Sequence, residues 1–349
     1  MSFEESASRL VVSALGKAPV RLQRLIGGAP TDRQGRALHP EVAAALRLLN
    51  AMPDSDFSDL PVDESRRTID AEAALFGGPP LPLAEVRDLE IPTSYGSLPA
   101  RRYRAEHRDA DRLLVYFHGG GWVLGSLDSA DSACRFLAKH SGVSVLSIDY
   151  RLAPEHPFPA ATQDARTAFD YAVAKAGEWG HRADRIAVGG DSAGGNLAAV
   201  LCQDLRTAAV RPAFQLLFFP VTDLSRQSAS YDEFAEGFFL TRKQMEWYSA
   251  HYLGGADPRD PRVSPLLADD LSGLPTAYVA VAGFDPLRDE GEAYARRLDA
   301  AGVHTTLRRH DGLIHAFVNA TGVGYTGREA MLEACGALRV GVGAGLGVG

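Results

Sequence analysis

Two short stretches of this chain carry residue types suited to acyl-transfer chemistry. The first, Gly190-Asp191-Ser192-Ala193-Gly194-Gly195, sets a serine between glycines in a G-x-S-x-G pattern. The apolar run RIAVGG (185–190) precedes it and the helical run NLAAVLCQDL follows it. That context predicts a sharp strand-to-helix turn holding Ser192 in a strained backbone conformation at the C-terminal end of a strand. Glycines are needed on either side because a side chain there would collide with the neighbouring strand and helix. The serine would sit at a helix N-terminus, where backbone N–H groups favour developing negative charge. A glycine-rich turn without chemistry is the plain alternative, and the strand and helix on its two sides count against it. The second stretch, His118-Gly119-Gly120-Gly121-Trp122, comes directly after the apolar run RLLVYF (112–117). Consecutive glycines let the backbone approach a ligand closely and turn N–H groups toward it. Donors aimed at an oxygen that becomes negative in a transition state are worth about 3–4 kcal/mol each.

These stretches need a scaffold, and the hydrophobic pattern supplies one. Short apolar runs alternate with helical stretches. Strands are predicted at 112–117, 143–148, 185–190, 214–219, 277–282 and 304–309. Helices are predicted near 129–140, 160–176, 193–207, 290–301 and 328–339. Runs without polar alternation, separated by helices, imply a mainly parallel sheet covered on both faces. Leu98 to Tyr103 alternates around arginines and reads as a half-exposed edge strand. The front of the chain reads as helical. Leu10, Val11 and Leu15 form a short apolar face, Pro40 suits a first helical position, and Asp63 to Phe76 is a further helix ended by Gly77 and Gly78. Between Val221 and Pro265 the rhythm breaks. That stretch contains the amphipathic piece FFLTRKQMEWYSAHYL and reads as an insertion over one end of the sheet. The glycine-rich tail 341–349 is expected to fray.

Composition narrows the class. Of 349 residues, 46% are hydrophobic and 23% charged, which excludes wholesale disorder. A formal net charge of −8 makes nucleic acid and anionic membranes poor partners. Cys134, Cys202 and Cys335 are odd in number, widely spaced and without a CxxC, so neither a disulfide framework nor a cysteine zinc site is expected. Reduced thiols and the absence of a signal-like start make a cytoplasmic protein the expectation. No apolar run reaches the roughly 18 residues of a membrane span, so no membrane insertion is expected. Neither HExxH nor GxxxxGK occurs, so no metalloprotease or P-loop reading arises.

With HGGGW and GDSAGG in this order, the chain resembles the hormone-sensitive-lipase-like (family IV, GDSAG-type) bacterial carboxylesterases of the α/β-hydrolase fold. The resemblance runs from about His39 to Asn319 and takes in DYRLAPEHPFPAA (149–161), SPLLADDLSGLP (264–275), FDPLRDEG (284–291) and LIHAF (313–317). It implies an α/β-hydrolase fold, with a mostly parallel central sheet flanked by helices and a helical cap. It implies a serine carboxylesterase acting on short- to medium-chain acyl esters, with no metal and no organic cofactor. In that fold the triad runs serine, acid, histidine along the chain. Asp285 is favoured as the acid by its match to the family's DPLRD, with Asp289 as its rival. His315 matches the family's histidine in LIHAF. His310 remains a rival by chain order, and His304 reads as a surface residue. The resemblance assigns the oxyanion donors to Gly120, Gly121 and Ala193, with Gly119 still open, and His118 is expected to support the glycine loop.

The expected division is a helical segment 1–80 contributing to the cap, core 81–220, cap insertion 221–265 and core 266–349. Trp122 is named as a substrate-pocket residue. Phe234, Phe238, Phe239, Met245, Trp247 and Tyr248 are candidate walls whose plain alternative is ordinary packing. The partner is a small-molecule ester, and relatives make a homodimer a further expectation. The competing reading is a binding module. Plant gibberellin receptors resemble this family but lack the catalytic histidine, whereas here His315 stands in that place. Amides, lactones and thioesters are alternative substrates for the same machinery.

Overall fold

The computed structural model describes residues 14–51, 56–105 and 111–343. Leu10 and Val11, expected on the first apolar face, lie outside them. Helices α1 (Val20–Gly27), α2 (Pro40–Leu49) and α3 (Val62–Phe76) come first. Pro40 takes the first turn of α2, where its missing N–H leaves no partner wanting. Asp63 and Glu64 lie in the first turn of α3, favourably placed for the helix dipole. Arg66 anchors α3 to the rest of the chain. Its guanidinium donates to the carbonyls of Val123 and Ala153, each at 3.0 Å, and pairs with Glu155 at 2.7 Å.

Eight strands form one sheet in the order β1-β2-β4-β3-β5-β6-β7-β8. They are β1 (Glu85–Thr93), β2 (Gly96–Arg104), β3 (Leu113–Phe117), β4 (Ser144–Ile148), β5 (Ile186–Asp191), β6 (Gln215–Phe218), β7 (Ala277–Phe284) and β8 (Thr305–Ile314). From β4 to β8 every pair is parallel, while β2 runs antiparallel to both β1 and β4. The connecting helices are α4 (Asp131–Ser141), α5 (Ala160–Lys175), α6 (Ala193–Asp204), α7 (Ala229–Glu233), α8 (Arg242–Leu253), α9 (Arg288–Ala300) and α10 (Thr326–Gly343). The sheet is covered on both faces, as its apolar runs require. Leu113, Val115 and Phe117 of β3 pack with α5, α6 and α9, while Leu114 and Tyr116 pack with α4 and α10.

Three sequence expectations change. Leu98–Tyr103 is not at the edge, because β1 pairs outside it through the turn at Thr93 and Gly96. β1 is a mostly exposed outer strand, with only Ile91 fully buried, so its charged residues hide the alternation. β8 runs on to Ile314, past the expected stop at Arg309. The glycine tail does not fray at 341. Helix α10 reaches Gly343 with Val342 fully buried, and a Cβ on Gly341 would come within 2.3 Å of the Phe214 ring. Residues 344–349 lie outside the described residues.

One side chain ties both ends of the 221–265 segment to α6. Asn196, fully buried on α6, donates to the carbonyls of Val221 at 2.9 Å and Val263 at 2.8 Å, one at each end of the segment. Asn196→Ala leaves two buried carbonyls without that donor, at about 1–3 kcal/mol for each unsatisfied group. A fall of about 2 kcal/mol or more in unfolding free energy by urea denaturation is expected. An unchanged midpoint would remove the strap.

Candidate active site

The turn from β5 to α6 holds Ser192 at φ 55° and ψ −117°, a conformation that L-residues rarely adopt. The flanking glycines are forced by close approach. A Cβ on Gly194 would lie 1.9 Å from the Phe117 carbonyl oxygen, and one on Gly190 would lie 2.3 Å from the same atom. The strained serine is pinned by its neighbours: its N–H donates to Phe218 O at 2.9 Å and its carbonyl accepts from Asn196 N–H at 3.0 Å. The side chain is therefore delivered at the top of the sheet on a backbone with little freedom.

Parallel strands end on one side, and that places the other two groups. Asp285 comes directly after β7, and His315 directly after β8. His315 Nδ1 lies 2.8 Å from Asp285 Oδ2, and Nε2 lies 3.0 Å from Ser192 Oγ. A proton on Nδ1 donates to the carboxylate, which leaves the Nε2 lone pair to accept from the serine hydroxyl. The second carboxylate oxygen accepts Leu287 N–H at 2.9 Å, so the acid cannot swing. All three residues are buried, and the Phe219 ring packs on the imidazole with centroids 4.5 Å apart.

The rivals are engaged elsewhere. Asp289 accepts from Ser230 N–H and Arg288 Nε, both at 2.9 Å. His310 lies within β8 beside the Phe317 ring, and burial pulls its imidazole below the usual range. His304 is exposed.

Gly119 is removed from the oxyanion donors, because its N–H is spent on Asp191 Oδ1 at 3.1 Å. Among the described residues the N–H groups of Gly120 and Gly121 have no acceptor. Both glycines adopt positive φ, at 108° and 60°. A Cβ on Gly121 would overlap the Tyr248 ring at 2.1 Å, so the loop and α8 touch backbone to ring. Ala193 opens α6, where the first amides have no intrahelical partner.

The supports of this loop include residues that the motifs contain but did not assign. Asp191, beside the serine, accepts from the Tyr116 hydroxyl at 2.7 Å as well as from Gly119. Tyr150 donates its hydroxyl to the His118 carbonyl at 2.8 Å and stacks on that imidazole at 4.3 Å. His118 Nδ1 donates to the Gly119 carbonyl at 2.7 Å, and burial holds its ring below the usual pKa, in the neutral form. His118 is expected in this role from the sequence; for Asp191 and Tyr150 the only signals are their places before Ser192 and in DYRLAP.

A cavity of about 290 Å³ opens over Ser192, His315, Gly120 and Gly121. Residues of α2 and α3, Phe57, five residues between Phe239 and Tyr248, and residues between Leu313 and Gly327 form its other walls. Trp122 is not among them, a correction to the sequence expectation. Its φ of 61° turns the chain away after the glycines, and the indole stacks on Tyr252 of α8 at 3.9 Å, 1% exposed. Phe239 and Tyr248 do line the cavity, whereas Phe234 and Phe238 pack on Phe284 at 5.4 and 5.3 Å. Met245 is buried in the main core, and Trp247 packs edge-on against Phe57. Among the described residues, no group of three or more His, Cys, Asp or Glu is placed to hold a metal ion.

Known proteins share this arrangement of sequence and fold. A family model described as the alpha/beta hydrolase fold matches residues 114–319. Carboxylic ester hydrolase LipN of Mycobacterium tuberculosis is 49% identical over 263 residues, covering 73% of this chain and 70% of its own. Ethyl acetate hydrolase of Pseudomonas putida is 39% identical, covering 81% of this chain and 92% of its own. The solved structure of ester-hydrolase EH1AB1, from the metagenome of Lake Arreo, superposes with a TM-score of 0.84 at 43% identity, over 88% of this chain and 99% of that one. Matched along most of its length in sequence and in fold, the chain belongs to the α/β-hydrolase fold family, in its hormone-sensitive-lipase-like branch of carboxylesterases.

Proposed function

We propose that this protein is a serine carboxylesterase that hydrolyses short- to medium-chain acyl esters through an acyl-enzyme. The observation that carries the reading is the unbroken line Ser192–His315–Asp285, with contacts of 3.0 and 2.8 Å, at the floor of a cavity. Named relatives that hydrolyse carboxylic esters support the same class.

The chemistry comes from the roles. His315 takes the hydroxyl proton as Ser192 Oγ attacks the ester carbonyl. The carbonyl oxygen becomes negative and is held by the amides of Gly120, Gly121 and Ala193. Asp285 holds the imidazole in one tautomer and stabilises the imidazolium. That imidazolium gives its proton to the departing alcohol as the C–O bond breaks, leaving an acyl-serine. Water then adds by the same route, its proton passing to His315 and on to Ser192 as the carboxylic acid leaves. We assign the cap to the described residues of segments 1–80 and 221–265, because α2, α3 and the approach to α8 line the cavity. A volume of about 290 Å³ lies near the lower end of ligand pockets, roughly 300–1,000 Å³, which favours short acyl chains. Among the described residues no helix is long and apolar enough to cross a membrane. Three buried, free cysteines accord with a cytoplasmic setting.

Ser192→Ala is expected to keep the wild-type thermal midpoint and to lower kcat for p-nitrophenyl butyrate by at least about 10³-fold. Retained activity would refute the nucleophile. His315→Ala should lose activity to a similar degree while His310→Ala keeps most of it, and the opposite outcome would move the base. Across an acyl series, kcat/KM should fall steeply from butyrate to hexadecanoate. A flat series would refute the roofed cavity as the limit on chain length.

A further inference from the structure

Helix α3 turns Ile69, Glu72, Ala73 and Phe76 toward the cavity, spaced as one face of a helix. Three of these are apolar and one is a carboxylic acid. Among the described residues the Glu72 carboxyl has neither a hydrogen bond nor an ion pair, and it is only partly exposed. The cavity's other acids are all engaged. Glu41 accepts the N–H groups of Tyr325 and Thr326. Asp56 accepts from Ser58, Lys243 and Gln244. Asp191 holds Tyr116 and Gly119. Lys243, the nearby cation, is already shared between Asp56 and Asp59. The remaining titratable groups that line the cavity are Tyr248 and His315, and neither bonds to Glu72. Desolvation alone pushes the Glu72 carboxyl up to about 7. Among the described residues the fold makes no use of this group, and a poorly solvated carboxylate without a partner costs stability. Such departures from local consistency concentrate at functional sites.

We propose that Glu72 is a specificity-determining residue: it accepts a hydrogen bond from a hydroxyl or ammonium group carried on the acyl chain of the ester. The inference rests on the esterase reading and adds the substrate class. An acyl chain with such a donor pairs with the carboxyl that the protein leaves empty-handed. At pH 8, where the Glu72 carboxyl is ionised and where the esters are compared, a plain alkyl chain leaves it unpaired and a chain ending in a carboxylate meets like charge.

The test compares esters of one chain length: ethyl hexanoate, ethyl ω-hydroxyhexanoate, ethyl ω-aminohexanoate and monoethyl adipate, monitored by acid release. The readout is the ratio of kcat/KM for each substituted ester to that for ethyl hexanoate, so a general loss of activity cancels. In Glu72→Leu the hydroxyl and ammonium ratios should each fall at least about tenfold, and the adipate ratio should rise. In Glu72→Gln the hydroxyl ratio should persist while the ammonium ratio falls, which separates the two donors. Ratios unmoved in both variants overturn the proposal and leave the esterase reading standing. A wild-type enzyme that hydrolyses none of the four overturns both.

Stability gives an independent readout. The folded protein holds the Glu72 proton up to about pH 7, against 4.5 ordinarily, so stability from this group is lost as pH rises through that window. Glu72→Gln should therefore raise Tm at pH 8 and leave it unchanged at pH 4. A lower Tm at pH 8 would make the carboxyl structural and sink the proposal.

Discussion

A histidine poised between a hydroxyl at 3.0 Å and a carboxylate at 2.8 Å has to be held against its own freedom to turn. That requirement organises the molecule. Asp285 is fixed by the amide of Leu287, the imidazole is backed by Phe219, and Ser192 stands on a turn whose φ is 55°. None of the three could be aligned by local structure. Ser192 and His315 are 123 residues apart, and only the register of parallel strands brings the ends of β5, β7 and β8 to one side. The sheet acts as the jig, and burial on both of its faces makes the jig rigid.

The glycine loop is governed by a second layer of buried polar groups. Asp191, Tyr116, Tyr150 and His118 form short bonds that consume the acceptors and donors the loop must not leave free. By taking the Gly119 amide, Asp191 leaves those of Gly120 and Gly121 as the loop's free donors among the described residues. Satisfied networks of this kind stiffen a site, because each partner lost in a low-dielectric interior is costly. The same physics makes Glu72 conspicuous: among the described residues it is the one acid lining the cavity whose carboxyl accepts no hydrogen bond.

The roof is made by segments far apart in the chain. Helices α2 and α3 come from the front, and α8 from the insertion whose ends Asn196 ties down. Arg66 locks α3 to the loop after the glycines and to the DYRLAPE segment. Ser192, the glycine loop and the roof are thus mechanically joined, so the cavity's shape and the alignment of Ser192 are set together rather than separately.

Much of this was legible in the residues alone. The elbow is written locally, since a backbone passing within 1.9 Å of a would-be Cβ admits glycine only, and the sequence must show it. The buried parallel strands are equally plain, because burial on both faces leaves uninterrupted apolar runs. Family resemblance, rather than spacing, singled out Asp285 and His315 from Asp289 and His310. What the residues could not say concerns direction and partnership. β1 was hidden because an exposed edge strand needs no apolar pattern. Trp122 was misread as a pocket wall because a positive φ of 61° at one residue sends the indole under α8. Gly119 stayed open until Asp191 was seen to take its amide, and Glu72 looked like any solvated helix acid. Backbone sterics act between chain neighbours and leave their mark in sequence. The direction of a side chain, and whether its polar atoms find partners, depends on segments far away along the chain, and only the packed molecule decides it.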